Sequence, residues 1–461
     1  MAENLTVLER CNIQPSVLPE NQTLPLSHFD MAFLFLHRVQ RLLFFEYQCS
    51  KSQLLETIVP NLKKSLAQAL AHFPPLAGKI ICPLNSGRPF SRIIAGDSVS
   101  LTIAETKTDI TQFTGNHPRL TDDFYIFLPQ LPAATRIEND VVFPVLALQI
   151  TLFPGRGLCF GITKDHGIGD ASSIVRFIKL WAEINRSNGG DAIDGKFLPV
   201  YDRTAVEDSE VLDPNIYWQK IKATRPKMTN MAITFPVNKF RSTFVLSKDD
   251  LQKLKLYVLN NCRPGLHVTA FTVTCALVWS CLVQAEEASE AVGAEVGEFF
   301  YCVVDCRGRM QPPLPAEYFG NCLVYMVTET VRRGLVMGEG GFAAAVELIG
   351  GGLKKRLTAA SILEGVEEWP EEFAKRTNVR SLGVVGSPKF DLYEVDYGWG
   401  GVRKFEQMTI DGVRQMSVSK SRVCEGGLEI GLSGKKETIH AFSQILTDTL
   451  HNLPSDPLLI N

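Results

Sequence analysis

Leu158-Cys159-Phe160-Gly161-Ile162-Thr163-Lys164-Asp165-His166-Gly167-Ile168-Gly169-Asp170-Ala171-Ser172-Ser173 reads as an apolar strand, a tight loop and the entrance to a helix. The strand is predicted over 158–163. The helix is predicted over 172–184, where Ile174, Phe177, Ile178, Trp181 and Ile184 fall on one face. Strand, loop and helix in succession are the α/β pattern. His166 falls where the strand ends, the place at which such folds present reactive groups to a crevice. Asp170 follows four residues later, with Gly167 and Gly169 permitting a sharp loop between them.

Three readings of this loop stay open from the residues alone. As a dinucleotide fingerprint, Gly167-x-Gly169-x-x-Ser172 lacks the third small glycine position, and no second strand ends in an acid about 20 residues on. As pure structure, Asp170 is a helix N-cap and His166 a satisfied polar residue. As an acid/base site, His166 is a general base whose loop Asp170 braces.

Outward from this stretch, the first 205 residues read as mixed α/β. A helix is predicted over 54–70, with Pro60 either kinking it or marking its start. Strands are expected over 92–94, 98–103 and 142–153. The pattern weakens from 202 to 238, where Pro214, Pro226 and Pro236 recur, and a crossover linker is expected between two halves. Beyond it come a strand over 243–246, a helix over 248–259 and a core helix from Val268 to Ala285. Residues 286–298 carry five acids and no base, and read as an exposed loop. A strand over 299–304, a helix over 341–356, strands over 415–419 and 428–432, and a last helix over 438–452 follow.

The 461 residues are 45% hydrophobic and 21% charged, with 47 basic and 50 acidic side chains and a net charge of −3. Low hydrophobicity and high net charge, the marks of disorder, are both missing. The balance argues against a chain devoted to nucleic acid or to an anionic membrane surface. Eleven scattered cysteines, odd in number and without zinc or redox spacing, point to buried thiols in a reducing compartment. The N-terminus lacks a signal-peptide pattern, and polar residues interrupt the longest apolar run, so a cytosolic protein is expected. The near-neutral total hides a local excess: ten bases and two acids between Lys220 and Arg263. That segment reads either as a solvated basic face or as a site for a small polyphosphate.

Several segments together carry a family resemblance. His166-Gly167-Ile168-Gly169-Asp170 resembles the H-x-x-x-D signature of the plant BAHD acyltransferases. Asp396-Tyr397-Gly398-Trp399-Gly400 is similar to their D-F-G-W-G motif, with Tyr in place of Phe. Tyr318-Phe319-Gly320-Asn321-Cys322 matches the Y-F-G-N-C motif of the clade that acylates anthocyanins and flavonoid glycosides. Leu24-Pro25-Leu26-Ser27-His28-Phe29-Asp30, Val304-Asp305-Cys306-Arg307 and Gly386-Ser387-Pro388-Lys389-Phe390 also fit, so the resemblance spans essentially the whole chain.

The resemblance implies two α/β domains, each a mixed sheet with flanking helices, and a channel between them with His166 at its middle. Residues 1–205 would form the first domain, joined by a crossing strand near 380–405; 206–239 the linker; 240–461 the second domain. It implies acyl-CoA as cosubstrate, no permanently bound cofactor or metal, and a phenolic glycoside as acceptor. His166, Asp170 and Asp396 are its catalytic candidates. Asp170 is implied to be mainly architectural, paired with Arg307, and the glycines around Asp396 favour a structural role there too. Tyr318, Asn321, Gly398, Trp399 and Gly400 are expected to build the frame. Arg41 stands where malonyltransferases of the clade tend to carry an Arg, which favours malonyl-CoA over hydroxycinnamoyl-CoA. Lys253, Lys255, Arg263 and Thr269 are the candidates for the CoA side. A monomer is expected, and a non-catalytic binding protein of the same fold is the rival from another class.

Overall fold

The computed structural model describes residues 5–17, 21–189, 194–207, 213–228, 238–357, 362–375 and 379–453. The stretch around residue 160 lies at the centre of a six-stranded sheet ordered Leu5–Ile13, Val99–Thr106, Leu146–Phe153, Gly157–Lys164, Val39–Glu46 and Lys404–Gln407. Leu146–Phe153 and Gly157–Lys164 are buried along their whole length, as their near-continuous apolar runs require. Gly155, at φ +69°, turns one into the other. Gly161 has no room for a side chain, because a Cβ there would run into the Phe127 carbonyl. The helix Ala171–Arg186 packs its Ile174, Phe177, Ile178 and Trp181 face into the same core.

The second half is built on an eight-stranded sheet. Its main path runs Leu323–Val327, Gly297–Asp305, Arg380–Val385, Gln415–Lys420, Leu428–Gly434, Phe240–Leu246 and Arg119–Leu120, with Val331–Arg332 also beside Gly297–Asp305. The helix Ala270–Glu290 is buried against it and against the helices Gly341–Arg356 and Lys436–His451. A five-stranded sheet, Gln22–Pro25, Phe90–Ile93, Lys79–Pro83, Asp140–Pro144 and Thr135–Ile137, completes the first half.

Each half lends the other a strand. Lys404–Gln407 pairs antiparallel with Val39–Glu46, and Arg119–Leu120 pairs with the start of Phe240–Leu246. The strand that crosses back is thus 404–407, whereas Arg380–Val385 stays in the second sheet.

Three sequence expectations change, and the choice left open at Pro60 falls to the helix start. The strand predicted over 142–153 is two strands in different sheets, Asp140–Pro144 and Leu146–Phe153; Pro144, without an N–H, ends the first. Pro60 sits at the second residue of Val59–His72, behind a π-turn over Leu54–Ile58 that accommodates its ring. Part of the predicted linker is a packed helix, Pro214–Thr224, whose Trp218 is fully buried and donates from Nε1 to the Pro83 carbonyl at 2.9 Å. The predicted acidic loop shrinks to 291–296. Glu286 ends up on the long helix and Glu298 on a strand, both buried and bound by Arg333 and Arg414. Their counterions lie far along the chain, so local charge counting missed them.

The basic segment is also largely consumed by the fold. Lys220, Lys222, Arg225 and Lys239 donate to the backbone carbonyls of Glu367, Leu84, Ala32 and Asp411 respectively. Arg241 is buried between Glu406 and Asp411. About half of the segment's charge thus works inside the protein, and the CoA-side candidates Lys253, Lys255 and Arg263 belong to the other half.

Candidate active site

The H-x-x-x-D loop is held by groups from three other segments. Asp165 caps the turn that follows it, accepting from Gly167 N at 2.9 Å. Asp170 caps the next helix, accepting from Ser173 N at 3.2 Å, and its other oxygen receives Cys322 N at 3.2 Å. Arg307 Nη2 lies 2.7 Å from that same oxygen, and both residues are buried. Asn321 donates from Nδ2 to the His166 carbonyl at 3.0 Å and to Asp30 Oδ1 at 2.9 Å. Asp30, fully buried, is in turn paired with Arg203 at 3.1 Å. Arg203 also donates to the Tyr318 hydroxyl. Asp170, Arg307, Asn321 and Tyr318 therefore form one scaffold that fixes the backbone on either side of His166.

The His166 imidazole stacks on Phe33, with centroids 4.1 Å apart and planes within 12°. Burial pushes its pKa well below the usual 6.5, and the neighbouring Lys164 adds to the shift. Its Nδ1 is buried without a hydrogen-bond partner among the described residues. The ring is therefore neutral at physiological pH and able to accept a proton.

A cavity of about 970 Å³ opens beside it, walled by both halves. Arg41, Asp170, Thr269 and Arg307 line it with His166. Lys253, Lys255 and Arg263 do not. The first two sit on the helix Lys248–Asn261, and Arg263 is exposed beyond its end with its guanidinium 4.0 Å from Glu347. Asp396 is also absent from the wall. Its Oδ1 accepts from the backbone N–H groups of Gly398, Trp399 and Gly400 at 2.8, 3.1 and 2.9 Å. Gly398 and Gly400 have φ of +107° and +103°, conformations that favour glycine, and Trp399 stacks on Tyr47. Asp396 builds its own loop, whose Tyr397 and Trp399 pack on Phe45 and Phe160 outside the cavity wall.

Sequence reading passed over Phe33, Asp30, Arg203 and Lys164. The signal for Lys164 is a charge at the end of an otherwise apolar strand; in the structure it lines the cavity and is 1% exposed. Among the described residues, no group of three His, Cys, Asp or Glu side chains is placed to hold a metal ion. No described helix is long and apolar enough to cross a membrane.

A model described as the Transferase family matches residues 3–448. The chain belongs to this family, the BAHD acyltransferases. It is 41% identical, over 96% of this chain and 95% of the relative, to a malonyl-coenzyme:anthocyanin 5-O-glucoside-6'''-O-malonyltransferase of Salvia splendens. It is 42% identical, over 88% and 90%, to phenolic glucoside malonyltransferase 1 of Nicotiana tabacum. A coumaroyl-CoA:anthocyanidin 3-O-glucoside-6''-O-coumaroyltransferase of Arabidopsis thaliana is 31% identical over 95% and 96%. The BAHD fold is equally clear in solved structures. Vinorine synthase superposes with a TM-score of 0.70 at 21% identity, over 98% of this chain and 99% of that one. TRI101 of F. graminearum, complexed with ethyl coenzyme A, gives 0.67 at 16% identity over 91% and 96%.

Proposed function

We propose that this acyltransferase moves a malonyl group from malonyl-CoA to a sugar hydroxyl of a phenolic glucoside, anthocyanin and flavonoid glucosides included, with His166 as general base. The observation that carries the reading is a neutral, half-buried imidazole in the same cavity wall as a buried arginine whose Nη1 has no partner among the described residues. A thioester is already activated, so no covalent enzyme intermediate is required. The acceptor hydroxyl is a weak nucleophile, and a base that is neutral near pH 7 suits it. His166 takes the hydroxyl proton as the oxygen attacks the thioester carbonyl. The new C–O bond stays as the C–S bond breaks, and the imidazolium returns the proton to the departing thiolate.

Arg41 supports the malonyl donor, since a carboxylate taken from water needs a cation. Gln407 fixes its orientation by accepting from Nε at 3.2 Å, which leaves Nη1 for a ligand. The relatives at 41% and 42% identity are named for malonyl transfer, against 31% for the coumaroyltransferase. In this reading CoA lies on the side of Thr269, the N-cap of Ala270–Glu290 and part of the cavity wall. Aromatic side chains on the wall, Tyr301, Tyr325 and Trp369 among them, suit the aglycone.

The test offers malonyl-CoA or coumaroyl-CoA with a phenolic glucoside and identifies products by mass spectrometry. Malonyl ester is expected, and Arg41→Ala should lower malonyl transfer about 10- to 100-fold while sparing coumaroyl transfer. Coumaroyl ester as the main product, or equal loss on both donors, contradicts the donor assignment. No turnover of either would favour a binding protein.

A further inference from the structure

The floor of the cavity is set by strand register. Arg41 faces Ile162 across one strand pair and Gln407 across the other, and Lys164 lies two residues beyond Ile162 on the same face of the sheet. Arg41 and Lys164 are thus diagonal neighbours, 6% and 1% exposed, and both line the cavity. Among the described residues neither forms an ion pair. The carboxylates nearest Lys164 are committed elsewhere: Asp170 to Arg307, Asp30 to Arg203 and Asn321, and Asp165 to Gly167 N. Lys164 gives one donor to the Gly169 carbonyl, which leaves two of its three N–H groups.

Two buried basic side chains side by side, with no ion pair among the described residues, are costly to keep charged unless a ligand supplies a further anion. Burial, and then Arg41, lower the Lys164 ammonium to about 7, which registers that deficit. Burial lowers Arg41 as well, to about 10.

We infer that Lys164 joins Arg41 in a two-cation seat for the terminal carboxylate of the acyl donor, and that Lys164 separates a dicarboxylic acyl group from a neutral one of similar size. The inference rests on the malonyl donor proposed above. Lys164 is two residues before His166, so a carboxylate held there leaves the thioester end of a short acyl chain near the base. The rival role is purely structural: Lys164 as a clamp on the Gly169 carbonyl that shapes the catalytic loop.

Equilibrium binding separates the two without requiring turnover. Dissociation constants for malonyl-CoA, acetyl-CoA and free CoA are measured on the wild-type chain and on Lys164→Met and Lys164→Gln. The wild type should bind malonyl-CoA more tightly than acetyl-CoA. Both variants should lose about 10- to 100-fold on malonyl-CoA, the loss of one charge-assisted contact, while acetyl-CoA and CoA stay within about threefold. A wild type with no preference for malonyl-CoA defeats the donor reading and this seat with it. A preference that survives in the variants defeats the seat alone. Parallel loss of all three ligands, or failure of both variants to fold, assigns Lys164 to the frame and overturns the inference.

Discussion

His166 and Asp170 are four residues apart and have opposite environments. The imidazole faces a cavity and its buried Nδ1 has no hydrogen-bond partner among the described residues, while the carboxylate receives an arginine and two backbone N–H groups. Burial, reinforced by Lys164, holds His166 well below 6.5. The neutral ring is the active form, so activity is lost only as pH falls through that lowered pKa. A pH profile of kcat/KM should therefore show no acid limb centred at 6.5 or above, and such a limb would contradict this environment. Asp170→Ala should act differently, by leaving the Arg307 guanidinium buried without its main counterion. A loss of about 3 kcal/mol of stability in denaturant unfolding is expected. The sequence motif located this pair. Phe33, Asp30 and Lys164 were not legible, because their convergence on one loop depends on strand register that spacing does not reveal.

Element by element, legibility followed periodicity. The helices at 171–186 and 248–261 and the strands at 157–164 and 428–434 emerged within a few residues of their predicted ends. Where apolar residues run on without a break, pattern cannot say which sheet a strand joins, and the run at 140–153 was split only by Pro144. The Asp396 loop illustrates the same limit. Its glycines announced a constrained backbone, but only the structure shows one carboxylate oxygen gathering three N–H groups. Asp396→Ala should lower stability by about 1–3 kcal/mol. Activity per folded molecule should change little, measured with the fraction folded in the same sample. A large loss of turnover in fully folded enzyme would return Asp396 to the chemistry.

The whole molecule is held closed around its cavity by exchanged strands and a buried charge network. Glu406, on the strand given to the first half, meets Arg119 at 2.6 Å and Arg241 at 3.0 Å, and Arg241 meets Asp411 at 2.9 Å. Burial opposes ionisation of Glu406, yet Arg119, Arg241 and Lys404 outweigh it and bring the carboxyl to about 2. A depressed carboxyl stabilises above its unfolded pKa, about 4.3, and that stability is lost as pH falls toward 2. Glu406→Gln should flatten this part of the acid-unfolding curve and cost about 3–5 kcal/mol at neutral pH. None of this coupling was visible in a net charge of −3, because partners such as Arg119 and Glu406 lie on different halves of the chain. The halves close around one imidazole, and the central claim is that this imidazole removes the acceptor proton. The most direct measurement is thiol release from malonyl-CoA with a phenolic glucoside by His166→Ala, alongside its CoA affinity and thermal unfolding. The account predicts a loss of about 10²- to 10⁴-fold in turnover with folding and CoA binding retained; turnover close to wild type would contradict it.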